Sequence, residues 1–260
     1  MDGNGVDRPS PASPASPSSR PRRQPPPLPP EVAAAIRRAA VGATERHRES
    51  LVAKTTDASA AYDRARFQDA ARLAKQVAAE VPSVAAVREL AGLAAYRSGR
   101  WREAVRQLEA YGELADDVGH VPALMDCYRA LGRRTKVADL FSELRHRSPG
   151  PDVLAEARIV AAATLADNRD LEGAIALLAS AGAGKALRNP SGRHVRQWYV
   201  LGDLYERAGD LPRARELFER VYRADPEAYD VAERLGALGG GRPRRRRTPA
   251  QRGRRTERPR

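Results

Sequence analysis

Few side chains in this sequence stand where chemistry would need them, and the nearest approach is Gly182-Ala183-Gly184-Lys185. A phosphate-cradling loop requires G-x4-G-K and then Ser or Thr between a strand and a helix, so that backbone N–H groups meet the phosphates and the hydroxyl meets magnesium. Here Ala179 holds the first glycine position, Ala186 holds the hydroxyl position, and a helical pattern precedes the segment. It reads as a loop. The four histidines, His47, His120, His146 and His194, are isolated, with no H-E-x-x-H or His/Cys grouping at ligand spacing, and read as surface or turn residues. Glu113, Asp116 and Asp117 form an acidic cluster without an accompanying base or metal ligand. The single cysteine, Cys127, excludes an internal disulfide and reads as packing beside Tyr128. No catalytic residue, metal site or cofactor is expected, and the chain is not expected to be an enzyme.

Charge is unevenly placed along the 260 residues. The net charge is +13, of which residues 240–260 carry +9, with ten arginines against Glu257. Residues 1–30 contribute +2 and are dominated by proline, serine and glycine, a composition that cannot bury enough surface to order itself. Both tails are therefore expected to be disordered, leaving a nearly neutral body over 31–238. Arg23, Pro26 and Pro29 make an R-x-x-P-x-x-P pattern that suits a polyproline-binding groove, although a plain spacer explains it as well. In the other tail, Arg244, Arg245, Arg246, Arg247, Arg252, Arg254 and Arg255 suit bidentate pairing with phosphate or carboxylate. Nucleic acid, anionic lipid or an acidic protein would all fit, and with no aromatic residue present any binding would run through the backbone of the polyanion. Arginine outnumbers lysine 42 to 4 throughout, so a compositional bias explains the tail equally well. No apolar run approaches the ~18 residues of a membrane span, and the start lacks an apolar signal core. A cytoplasmic location is expected.

The elements that would position a site show themselves between Trp198 and Pro226. Trp198, Leu201, Gly202 and Tyr205 recur at helical spacing, and Ala214 and Phe218 follow on a second stripe. Gly202 costs about 1 kcal/mol against alanine inside a helix, which makes sense where a second helix approaches closely. Ala214 is expected to be its small partner. Between the stripes, Gly209 suits a left-handed helix end, Asp210 a cap, and Pro212 a first turn.

Weaker copies lie upstream. The positions matching Ala214 are Ala70, Ala104, Val137 and Ala174, at steps of 34, 33, 37 and 40 residues. Units are expected near 51–84, 85–117, 118–151, 155–181 and 195–228, with a closing helix at 229–238 and one further helix from 31–50. The long last step holds a Gly/Asn/Pro-bearing loop over 182–194. In the third unit Met125 and Val137 stand at the close-contact sites. Either that helix pair is spaced more widely, or the register slips by one and Ala138 makes the contact.

The spacing W-x2-L-G-x2-Y, A-x3-F and a late proline resembles the tetratricopeptide repeat family, over roughly 51–238. The resemblance implies an all-α solenoid of about five antiparallel helix pairs, each burying its apolar face on its neighbours. It also implies a concave groove lined by the first helix of each pair, holding an extended or helical peptide. The stripe beside the packed positions would face it: Arg196, Tyr199, Asp203 and Glu206 in the last unit, Glu89, Leu93 and Tyr96 in the second. Asp126 and Arg129 match in the third, and Thr55, Ser59 and Tyr62 in the first. The tyrosines suit recognition, being large, amphipathic and cheap to order, or else complete the helix packing. The family's carboxylate clamp for chaperone C-termini uses lysine and asparagine on this wall, and neither occurs at these sites. The expected function is a non-enzymatic adaptor binding a protein or peptide in the groove. The alternative is a nucleic-acid-associated protein that uses the arginine-rich tail.

Overall fold

The structure is a computed structural model and describes residues 26–182 and 184–239. Among these residues it contains helices and turns only: α1 (Pro30–Ala39), α2 (Glu45–Asp63), α3 (Phe67–Glu80), α4 (Ala85–Arg97), α5 (Trp101–Leu114), α6 (Val121–Ala130), α7 (Arg134–His146), α8 (Pro151–Asp167), α9 (Leu171–Ser180), α10 (Gly192–Arg207), α11 (Leu211–Ala224) and α12 (Val231–Ala237). Each helix packs on the next, and the first helices of successive pairs also touch, α2 on α4, α4 on α6, α6 on α8 and α8 on α10. That pattern is an α-solenoid. Its core is a row of apolar clusters, around Ile36, Leu51 and Val77 at one end, Leu108, Met125 and Leu144 in the middle, and Leu201, Phe218 and Val231 at the other.

One backbone device repeats at every hairpin. A residue in the left-handed region ends the first helix of each pair: Ala65 (φ 56°), Gly99 (73°), Gly132 (72°), Arg169 (65°) and Gly209 (81°). The N–H of the following residue reaches back to a carbonyl five residues upstream, as from Arg100 to Ala95 (2.9 Å) and from Asp210 to Tyr205 (2.9 Å). This satisfies helix-end carbonyls that would otherwise go unpaired. Asp210 and Asp170 then cap the second helices, accepting from the N–H groups of Arg213 and Gly173.

Three sequence expectations change. The nearest neighbour of Gly202 is Phe218 and not Ala214: a Cβ built there would lie 2.8 Å from Cε1 of Phe218, so the glycine makes room for an aromatic ring. Gly92 does the same for Leu108, at 2.6 Å from Cδ2. In the third pair Met125 and Val137 are both buried while Ala138 is exposed, which fixes the register on Val137. At the N-terminal side, residues 31–50 hold α1 and the opening of α2, because Gly42 (φ 76°) turns the chain and Thr44 caps a new helix through the His47 N–H. The tails expected to be disordered are residues 1–30 and 239–260; within them Pro30 opens α1 and Leu28 packs on the N-terminal core, while residues 1–25 and 240–260 lie outside the described residues.

Candidate functional site

The first helices α4, α6, α8 and α10 stand side by side, and their shared wall holds a cleft of about 520 Å³. Its floor is apolar, made by Ala123 of α6 with Val153, Ile159, Val160 and Ala163 of α8. Its rim is charged, and each rim cation is already tied to a carboxylate. Tyr96 Oη donates to Asp126 Oδ2 (3.0 Å), while Arg129 Nε donates to Asp126 Oδ1 (2.8 Å) and its Nη1 to Asp167 Oδ2 (2.6 Å). Across the cleft Arg196 Nε donates to Glu156 Oε2 (2.9 Å), and Arg193 Nη1 to Asp152 Oδ1 (3.0 Å). Burial, reinforced by Asp126, pushes the Tyr96 hydroxyl up to about 12, so it remains a donor at every physiological pH. Burial works against the charge on Arg129, but its bonds to Asp126 and Asp167 outweigh that and raise its pKa. These partly exposed pairs add little stability.

Tyr96, Asp126, Arg129 and Arg196 thus line one cleft. The other residues named from the sequence lie elsewhere. Tyr62 packs edge-on against Phe67, with ring centroids 5.3 Å apart, and Leu93 packs against the middle core. Glu89 is half-buried on α4, and burial together with nearby Asp117 holds its carboxyl above the usual range. Thr55 is buried and donates to the Leu51 carbonyl, and Ser59 is half-buried. At the C-terminal end, Tyr199, Asp203 and Glu206 are engaged by the closing helix. Arg234 of α12 donates to Asp203 Oδ1 (2.9 Å) and Glu206 Oε2 (2.6 Å) and lies 5.7 Å from the Tyr199 ring centroid, and Tyr199 donates to Asp230. Arg244–Arg247, Arg252, Arg254 and Arg255 lie outside the described residues.

Sequence reasoning placed a unit at 155–181 but named no groove residue on α8, which supplies most of the floor. Its apolar residues surround the helix and so show no stripe, yet Asp152 and Glu156, four apart and beside Val153, mark the exposed side. His120 is also a surprise: at the start of α6 it is 7% exposed and not a surface residue. Among the described residues no three His, Cys, Asp or Glu side chains come together as metal ligands, and no helix is long and apolar enough to cross a membrane. Cys127 is wholly buried, and burial pushes its thiol up to about 12.

Family models described as tetratricopeptide repeat match residues 56–117 and 195–238. The chain is a tetratricopeptide-repeat protein. The first match covers α3, α4 and α5 with part of α2, and the second covers α11 and α12 with nearly all of α10, so the family's hallmark brackets both sides of the cleft. No curated protein matches the sequence. One solved structure similar to this repeat protein is described as "Crystal structure of YrrB: a TPR protein with an unusual peptide-binding site". The two share 16% identity, with a TM-score of 0.47 over 75% of this chain and 95% of that one.

Proposed function

We propose that this tetratricopeptide-repeat chain is a non-enzymatic protein-interaction scaffold that holds a partner's peptide segment in the cleft between α4, α6, α8 and α10. One observation carries the reading: an apolar floor open to solvent, with its flanking charges internally paired. Such a wall gains from covering apolar side chains, at roughly 25 cal/mol per Å². It has no spare charge to recruit a strongly ionic ligand. Tyr96 adds an aromatic face at one side, of the kind that anchors interfaces.

The absence of lysine and asparagine from the cleft lining speaks against a carboxylate-terminated guest. The preferred guest is a segment with two or three apolar side chains, extended or helical. Probing the full chain against an array of immobilised peptides tests this. Ala163→Arg, which fills the floor, should abolish the captured set, and Tyr96→Ala should weaken it about tenfold, the size of a modest aromatic hot spot. Capture unchanged by both substitutions would overturn the cleft as the site.

A further inference from the structure

Among the described residues, which hold every aromatic side chain of the chain, Tyr229 alone is exposed, at 50%. Its backbone is left-handed, with φ 53°. A bulky side chain rarely adopts that conformation, and glycine or asparagine would make the turn between α11 and α12 at less cost. Strain kept beneath an exposed ring is a sign that the ring's position matters. What the turn secures is a fixed aromatic face. Tyr229 lies on Tyr199 of α10, with centroids 4.3 Å apart and planes 31° from parallel. Tyr199 is itself held three times over: it tilts on Phe218 (5.8 Å), donates to Asp230 and carries the Arg234 guanidinium over its ring (5.7 Å). A ring ordered in advance costs a guest little to meet.

The tyrosine pair stands at the edge of the concave cleft. Arg196 lines that cleft and precedes Tyr199 by one helical turn on α10, so the two share a face of the helix. Tyr229 also meets Arg196: burial works against the charge on that guanidinium, and Glu156 and Tyr229 together outweigh it and raise its pKa. The inner wall therefore continues from the apolar floor on α8, past Arg196, to a tyrosine ring at α10. The acids beyond the ring, Asp203, Glu206 and Asp230, are already engaged by Arg234. A second cleft, of about 420 Å³, lies across α6 between α5 and α7, but among the described residues no Phe, Tyr or Trp lines it.

We infer that Tyr229 is a specificity-determining residue of the concave groove, a shelf on which an extended partner segment rests an aromatic side chain. The shelf presupposes that the cleft holds a peptide, and it adds a second anchor. A ring laid on Tyr229 gains an aromatic contact beyond the area it covers. Arg196, beside the shelf, disfavours a cationic side chain there, and the acids that would attract one are taken by Arg234. Packed helices stand about 8–10 Å apart, and an extended chain advances about 3.3 Å per residue. The aromatic residue should therefore stand about three residues from the apolar side chain seated on α8. Tyr96 on α4 and Tyr229 beside α10 then bracket the track.

Immobilised peptides of about ten residues, probed with the full chain, test the assignment. Each carries a pair of leucines and one phenylalanine, whose offset from the leucines is varied in both directions, with an alanine twin for every offset. The wild type should hold a phenylalanine peptide about tenfold tighter than its twin at an offset near three. Tyr229→Gly should bring that ratio to about one and leave the affinity of the alanine twin unchanged, while Tyr229→Phe should preserve the ratio. Because glycine relieves the left-handed backbone, an unchanged or raised melting temperature will show that α12 stays seated. A ratio that survives Tyr229→Gly, or no preferred offset, would overturn the shelf and leave the cleft standing. Equal weakening of both twins, or a fallen melting temperature, would make Tyr229 a packing residue and overturn the shelf as well. Indifference of both twins to Ala163→Arg would instead remove the cleft reading, and the shelf with it.

Discussion

The pairs α10/α11 and α6/α7 solve the same packing problem in opposite ways. In α10/α11 a glycine leaves a gap and Phe218 fills it from the partner helix, wholly buried. In α6/α7 the equivalent place holds Met125, itself wholly buried, and the side chain corresponding to Phe218 is Phe141, which is only partly buried against the middle core. Volume at the seam is preserved while its donor switches helix, as expected of interiors packed to near-crystalline density. The consequence for function is a division of labour. In the signature-bearing pair the outer stripe is covered by α12 except at Arg196, which borders the concave cleft, whereas the pair that departs from the signature has open clefts on both faces of α6. A motif that marks good packing marks places where little is left to bind.

The largest effect should come from Trp198→Ala, which empties buried space and loses the bond from Trp198 Nε1 to the Lys185 carbonyl (3.2 Å). A loss of about 3–5 kcal/mol is expected, and hydrogen exchange should rise from α9 to α12 first, since contacts run between neighbours only. Uniform exchange along the chain would break the picture of separable units. Met125→Ala should cost about 2–5 kcal/mol in chemical denaturation. A negligible cost would mean that the third seam is loose instead of differently filled.

Gly202→Ala sharpens the comparison. Its Cβ would crowd the Phe218 ring, and overpacking of about 1–3 kcal/mol should outweigh the ~1 kcal/mol gain in helix propensity. A rise in melting temperature would show that the ring has room to move. A smaller effect follows from His120. Its folded-state pKa is depressed by burial, with Asp117 opposing and Arg147 adding to the shift. The unfolded chain therefore takes up the proton more readily, and the stability present above the ordinary histidine value of about 6.5 is lost as pH falls below it. Melting followed from pH 7.5 to 5 should decline more in the wild type than in His120→Asn. The smallest effect is a gain: Arg169→Gly relieves a left-handed side-chain residue and should add about 0.5–1 kcal/mol.

The architecture was legible because its cues were local and chemically specific. Trp198, Gly202, Asp210 and Ala214 announced two helices and their turn, and the small-residue steps carried that register to all five pairs. Ala65 and Arg169 stayed hidden, since neither residue type advertises a left-handed backbone. Three groove positions in the last unit are claimed by Arg234, a tertiary contact 28, 31 and 35 residues away that leaves no local trace. The floor of α8 was missed because a helix apolar on every side offers no periodicity to read, and the burial of His120 depends on a turn folding beneath α5.

The helix α12 impersonates a sixth unit for a single heptad's length, seating one arginine among the acids that a further neighbour would have met. Array length is thereby written into one side chain. Lengthening the stack by grafted units would first require evicting Arg234, and a guest threading along the inner wall from α4 would find its track ending at α10.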